Sequence, residues 1–177
     1  QRMNIADILK QLKAFARQDG AILFAVWTAS FFATLLLPQS PWGNLLALST
    51  PFVVSWRLRR FRDDALEGVI SFRRALAYTW YTFFYAAIAF ALAQYLYFQF
   101  WDNGTLSNFI MQSISALGPM YADMGMKKEE LDEAVKLLTE LSPIQLSFLF
   151  LMQNLFIGLL LGLPIAAICT RSIAKQR

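Results

Sequence analysis

Residues 55–75 read "SWRLRRFRDDALEGVISFRRA", and where this stretch sits decides how the rest of the chain is arranged. It holds six arginines (Arg57, Arg59, Arg60, Arg62, Arg73 and Arg74) within 21 residues, between two strongly apolar stretches. Such density suits a nucleic-acid patch, a collar facing lipid headgroups, or a docking site for a protein. Nucleic-acid binding requires a folded reader or an extended basic platform with stacking residues. A short segment pinned between apolar stretches offers neither, so no nucleic-acid partner is expected.

The flanks belong to a chain of 177 residues that is 57% hydrophobic and 16% charged, with a mean hydropathy of +0.44. Soluble domains are about 45–50% apolar and about 25% charged; this balance is that of a membrane protein. One cysteine, Cys169, leaves no internal disulfide and no multi-cysteine metal site. The absence of histidine removes the usual general base and the commonest zinc ligand.

Four apolar segments stand out, at about 20–37, 41–58, 74–101 and 143–169. A helix crossing a ~30 Å hydrocarbon core needs about 20 apolar residues. The third and fourth segments meet that length, and the first nearly does. No small-residue cleavage site follows the first segment, which therefore reads as a span rather than a signal peptide. The second is short, and spans only if Leu58 and Phe61 extend it while the arginines snorkel to the headgroups.

A re-entrant hairpin of the first two segments is the competing reading, and the charge distribution argues for spans. With four spans, one side carries Arg2, Lys10, Lys13, Arg17, the six arginines of 55–75, Arg171, Lys175 and Arg177, which is 13 of the 16 basic residues. The other side carries Lys127, Lys128 and Lys136 against seven acids. Positive charge marks the cytoplasmic face, so both termini are expected there. A re-entrant second segment would spoil the asymmetry.

The expected architecture is thus all-α: a single membrane domain over 1–177 with four transmembrane helices. Two accessory parts complete it. Ile5, Ile8, Leu9, Leu12 and Phe15 recur at helical spacing opposite Lys10, Lys13 and Arg17, which predicts an interfacial amphipathic helix over 4–18. The extracytoplasmic stretch 102–142 predicts two amphipathic helices forming a small cap, one broken at Gly118-Pro119 and one carrying Leu131, Val135, Leu138 and Leu141. Ser142-Pro143 supplies an N-cap and a first-turn proline for the last span, and Ser40-Pro41 does so for the second.

"EGVISFRRA", "YLYFQFWD", "MKKEELDEAVKLLTELSP" and "LFIGLLLGLPIAAI", in that order and spacing, resemble the bacterial membrane family known as domain of unknown function 4199. The resemblance runs from Glu67 to Ile168 and extends more loosely over the first two spans. It implies a cytoplasmic (inner) membrane of a Bacteroidota-type Gram-negative cell, and an envelope glycosyltransferase as a partner class. The family carries no assigned activity, so the resemblance bears on architecture. Family members typically have polar, glycine-bearing residues where this chain has "RLRRFRDD".

Catalysis finds no support. Glu129-Glu130 and Asp132-Glu133 read as the solvated face of an outer helix, and no acid is assigned to the interior of a span. No enzyme activity, cofactor or metal is expected. Asp63 and Asp64 read as local charge balance or helix-end stabilisation. Within the membrane, Gly158 and Gly162 form a small-xxx-small face for close helix approach. Gln153 and Asn154 stand nearby as amides in need of interhelical partners. These four are expected to pack against the first span, where Thr28, Ser30 and Thr34 offer hydroxyls, or else to contact a second copy or a substrate. The tyrosines and tryptophans at the ends of the third span read as interfacial belts, and Pro51 marks the one plausible break in the second.

The arginines read as a juxtamembrane collar for anionic headgroups, at roughly 1 kcal/mol per basic residue. Arg57, Arg59, Arg60 and Arg62 are candidates for a phosphate-bearing headgroup or a cytoplasmic partner. The functional expectation is a non-enzymatic accessory or scaffolding protein of the cell envelope. The alternative is a small oligomeric lipid or solute translocator, with Pro51, Gln153 and Asn154 lining its path.

Overall fold

The computed structural model describes residues 4–172, Phe109 by its backbone alone; Arg2, Lys175 and Arg177, counted above in the charge asymmetry, lie outside that range. Seven helices account for the described elements: α1 (Ile5–Leu36), α2 (Trp42–Leu48), α3 (Thr50–Ala65), α4 (Phe72–Phe100), α5 (Thr105–Asp123), α6 (Lys128–Thr139) and α7 (Pro143–Cys169). Three of them, α1, α4 and α7, are long and apolar enough to cross a membrane.

α4 is the centre of the bundle, packed on one side against α1 and on the other against α7. Aromatic rings tie α1 to α4 along their length: Trp27 meets Phe83 and Phe90, and Phe31 meets Phe90 and Phe98 at centroid distances of 5.8–6.0 Å. Gly20 permits the close approach. A Cβ there would lie 2.9 Å from that of Tyr85 and 3.1 Å from the Thr82 carbonyl oxygen.

Four expectations need correction. The residues predicted as a separate interfacial helix are the first half of an unbroken α1. Leu12 and Ala16 are fully buried, and Phe15 lies 4.8 Å from Phe61 of α3, so the apolar stripe meets protein, while Ile5 and Leu9 stay exposed. The second apolar segment is two helices, α2 and α3, joined at Ser49. Residues 55–75 are mostly helix, because α3 continues to Ala65 and only 66–71 form the turn. The turn uses left-handed backbone at Glu67 and Gly68, with the Gly68 amide donating to the Arg62 carbonyl at 2.9 Å. Finally, α5 continues through Gly118-Pro119, and the chain turns at Gly125, whose φ of +86° suits a residue without a Cβ.

The α2–α3 junction follows from Pro51. Proline in the first turn of α3 has no N–H, so the Ala47 carbonyl loses its donor four residues on. The Thr50 hydroxyl supplies the replacement at 2.7 Å, and the Ser49 hydroxyl donates to the Leu46 carbonyl at 2.6 Å beside the Ser49 amide at 3.2 Å. Polar side chains re-satisfying freed carbonyls is how a broken helix is tolerated away from water. At the start of α7, Ser142 accepts from the Gln145 amide while the Gln145 side chain accepts from the Ser142 amide. This capping box, with Pro143 beside it, is the N-terminus expected there.

Candidate functional site

Two features combine chemistry with burial. The first joins α1, α3 and α4 at the arginine-bearing end of the bundle. Asp19, 1% exposed, accepts from Arg57 Nε at 2.7 Å through Oδ1 and from the Tyr78 hydroxyl through Oδ2. Each partner is held in place: Tyr78 is stacked on Phe61 at 5.0 Å, and the Arg57 guanidinium lies over the Trp56 ring at 5.1 Å. A carboxylate removed from water must be paired and hydrogen-bonded, and this one is, on both oxygens.

Asp19 was not among the acids assigned to any span interior, and Tyr78 was counted with the interfacial belt; both lie in the core. The signal for Asp19 was present. Leu12, Ala16, Asp19 and Leu23 follow one helical stripe, so an acid on that stripe had to meet a cation from another helix. Arg57 lies beside Val54, Leu58 and Phe61 on the buried face of α3.

The other arginines divide by burial. Arg62, 8% exposed, donates to both carboxylate oxygens of Asp63 and, from Nη1, to the Cys169 carbonyl at 3.1 Å. It thereby caps the end of α7, whose last carbonyls lack donors within the helix. Ile70 and Arg171 exchange backbone hydrogen bonds beside it, at 3.0 and 3.1 Å. Arg74 donates to the Gln11 side chain at 3.0 Å. Arg60 pairs with Asp64 in solvent, and Arg59 and Arg73 are exposed. Of the four arginines predicted to face a headgroup, Arg57 and Arg62 therefore work inside the fold.

The second feature is a cavity of about 480 Å³ between α1, the α2–α3 junction, α4 and α7, with Leu106 of α5 at its margin. Pro51, Gln153 and Asn154 line it together with Gln94, and its described lining carries no charged side chain. Most of its polar wall is already paired. Trp27 Nε1 donates to Thr50 Oγ1 at 2.9 Å, and the Ser30 hydroxyl donates to the Gly43 carbonyl at 2.7 Å. Among its buried polar groups Gln94 is the exception: 2% exposed, its Oε1 has no donor among the described residues. An unpaired buried acceptor costs about 1–3 kcal/mol.

Gly158 and Gly162 pack on α4, where the first span had been expected. A Cβ at Gly158 would come within 2.7 Å of the Phe83 ring, and one at Gly162 within 2.6 Å of Trp80 Nε1. The hydroxyls of Ser30 and Thr34 turn instead to backbone carbonyls of α2 and α1. No group of metal-ligating side chains is found among the described residues.

No curated protein and no solved structure matches this chain. Residues 18–171 match a protein family, a range that takes in every helix from the middle of α1 to the end of α7. The chain belongs to the family described as "Protein of unknown function (DUF4199)".

Proposed function

We propose that this protein is a four-span accessory or scaffolding subunit of a bacterial envelope assembly, acting through contacts with protein and lipid. The surface of the outer helical pair carries this reading. Met111, Leu117, Met120, Met124, Met126 and Leu137 are exposed on α5 and α6 or the turn between them. These helices pack chiefly on each other, and α5 joins the bundle at its start, where Leu106 and Ile110 meet Leu35 of α1, Phe98 of α4 and Leu146 of α7. Exposed methionine and leucine in one region mark an interaction surface, and methionine adapts to varied partners.

The fourth span is α2 with α3. Together they run back alongside α1, with Thr50 at Trp27 and Arg57 at Asp19. Their 24 residues, 42–65, cover roughly 36 Å at 1.5 Å each, enough for the hydrocarbon core. Both termini then face the cytoplasm, on the positive-inside rule, and the membrane is the cytoplasmic one. Arg59 and Arg73, both exposed, are placed to meet anionic headgroups. An envelope glycosyltransferase or a second copy of the chain is the partner class to seek.

The translocator reading gains one observation: Pro51, Gln153 and Asn154 line one cavity. It loses another, because Arg57 and Arg62 are committed to Asp19 and Asp63 rather than gathering a headgroup. Native mass spectrometry of gently extracted protein separates the two. A stoichiometric protein partner, lost on mutating Met120 and Met124 to glutamate, is the result expected. A partner-free oligomer that moves lipid or solute in proteoliposomes would replace the scaffold with the translocator.

A further inference from the structure

We infer that the cavity between α1, the α2–α3 junction, α4 and α7 is a binding site for a neutral lipid bearing a free hydroxyl. The inference deepens the contact-based reading and rests on its placement of α2 and α3 across the bilayer. Three properties of the cavity select this ligand.

The first is size. A volume of about 480 Å³ falls within the ~300–1,000 Å³ of small-molecule sites. A single helical turn with its side chains, about 11 Å across and 5.4 Å in pitch, itself takes roughly 500 Å³. A partner's spanning helix therefore cannot enter, whereas a lipid chain can.

The second is charge. With no charged side chain in the described lining, a phosphate brought here would lose its water and find no counter-charge. The occupant is neutral.

The third is the unsatisfied amide. Ser30, Thr50 and Trp27 already spend their polar atoms on one another and on backbone. Gln94 lines the cavity, buried, with Oε1 lacking a donor, and Gln153 and Asn154 bring further amides to the same space. The terminal amide torsion of glutamine is soft and two-fold, so either end can be presented. A hydroxyl both donates and accepts, and so satisfies it. Phe31, Phe90 and Phe150 supply apolar wall for the chain. The comparable recess beside Gly158 on the other face of α4 has no such group: its Trp80 Nε1 donates to the Leu159 carbonyl at 3.4 Å.

The test uses the full chain in detergent and three probes: dioctanoylglycerol, its methyl ether, and dioctanoyl phosphatidic acid. Binding is followed by native mass spectrometry and by shift of the unfolding temperature. Dioctanoylglycerol should bind saturably, the ether about tenfold more weakly for want of its donor, and phosphatidic acid more weakly still. Gln94→Leu should fold and bind the alcohol and the ether alike. Ala47→Phe, placed on α2 to fill the cavity, should bind none of them.

Absence of saturable binding, which would mean that water alone occupies the site, would overturn the proposal. So would equal affinity of the wild type for alcohol and ether, a preference for phosphatidic acid, or displacement by a leucine-rich helix with a central serine. A stoichiometric partner recovered in a protein that fails these lipid tests leaves the scaffold reading intact while the site falls. Lipid discrimination without any partner does the reverse.

Discussion

Replacing Asp19 by asparagine removes one charge from the core and leaves Arg57 with none opposite. Breaking a buried pair by neutralising one partner costs about 3–5 kcal/mol, because the surviving charge stays desolvated. Here the lower end applies. The Arg57 side chain keeps 16% of its surface exposed and so retains part of its hydration, and Tyr78 still finds an acceptor on the amide. A loss of about 3 kcal/mol corresponds to roughly a hundredfold in an opening equilibrium. The protein contains its own reporter. Cys169, the sole cysteine, is fully buried, its thiol 3.8 Å from the Ser55 carbonyl oxygen of α3. A thiol reagent reaches it only when α3 lifts from α7, and Asp19–Arg57 is one of the contacts that hold α3 down. Under conditions where closing outpaces modification, the labelling rate reads the opening equilibrium. Asp19→Asn should label about a hundredfold faster than wild type. Asp19→Leu combined with Arg57→Leu should recover most of the loss, since an apolar pair replaces a buried ion pair without leaving a bare charge. Labelling of Asp19→Asn within threefold of wild type, or a double variant as labile as the sum of the singles, would refute the argument.

Other outcomes follow from the same geometry. Gly158→Leu drives a side chain into the Phe83 ring and should lower the unfolding temperature in detergent, at a cost of about 1–3 kcal/mol or more; an unchanged thermal profile would contradict the α4–α7 seam. Thr50→Val strips the Ala47 carbonyl of its donor and Trp27 of its acceptor, and should destabilise by about 1–3 kcal/mol per group left unpaired, seen as easier unfolding in the same assay. Arg60→Ala, breaking a pair exposed on both sides, should change stability by less than about 1 kcal/mol, whereas Arg62→Ala should speed Cys169 labelling by uncapping α7.

Much of this was legible in the chain. Three long apolar runs without internal charge can satisfy their backbone in a membrane only as helices; the first stops before Pro38 and the second at Trp101-Asp102. Ser142-Pro143 announced the start of α7 because a hydroxyl before a first-turn proline meets the local needs of a helix end. Pro51 announced a discontinuity, because a missing N–H is a property of the residue itself.

What stayed hidden depended on partners distant in sequence. Whether the 55–75 arginines face lipid or core turns on which stripe of α3 meets α1 and α4. The stripe that does carries Arg57 to Asp19, 38 residues away. Gly158 and Gly162 declare a close approach without naming the neighbour, and only the packing selects α4 over α1. The amphipathic pattern of residues 4–18 is the same whether its apolar face meets lipid or Phe61. The Gly118-Pro119 pair reads as a stop, yet α5 runs on to Asp123 and turns at Gly125.

The sequence by itself determined the three long apolar helices and the capped start of α7, because hydropathy, capping and proline chemistry act within a few residues. Only the tertiary structure decided that Asp19, Arg57 and Tyr78 share one buried contact and that Pro51, Gln94, Gln153 and Asn154 border one cavity. Burial and hydrogen-bond satisfaction belong to pairs of surfaces, and which surfaces meet is set by the packing of whole helices.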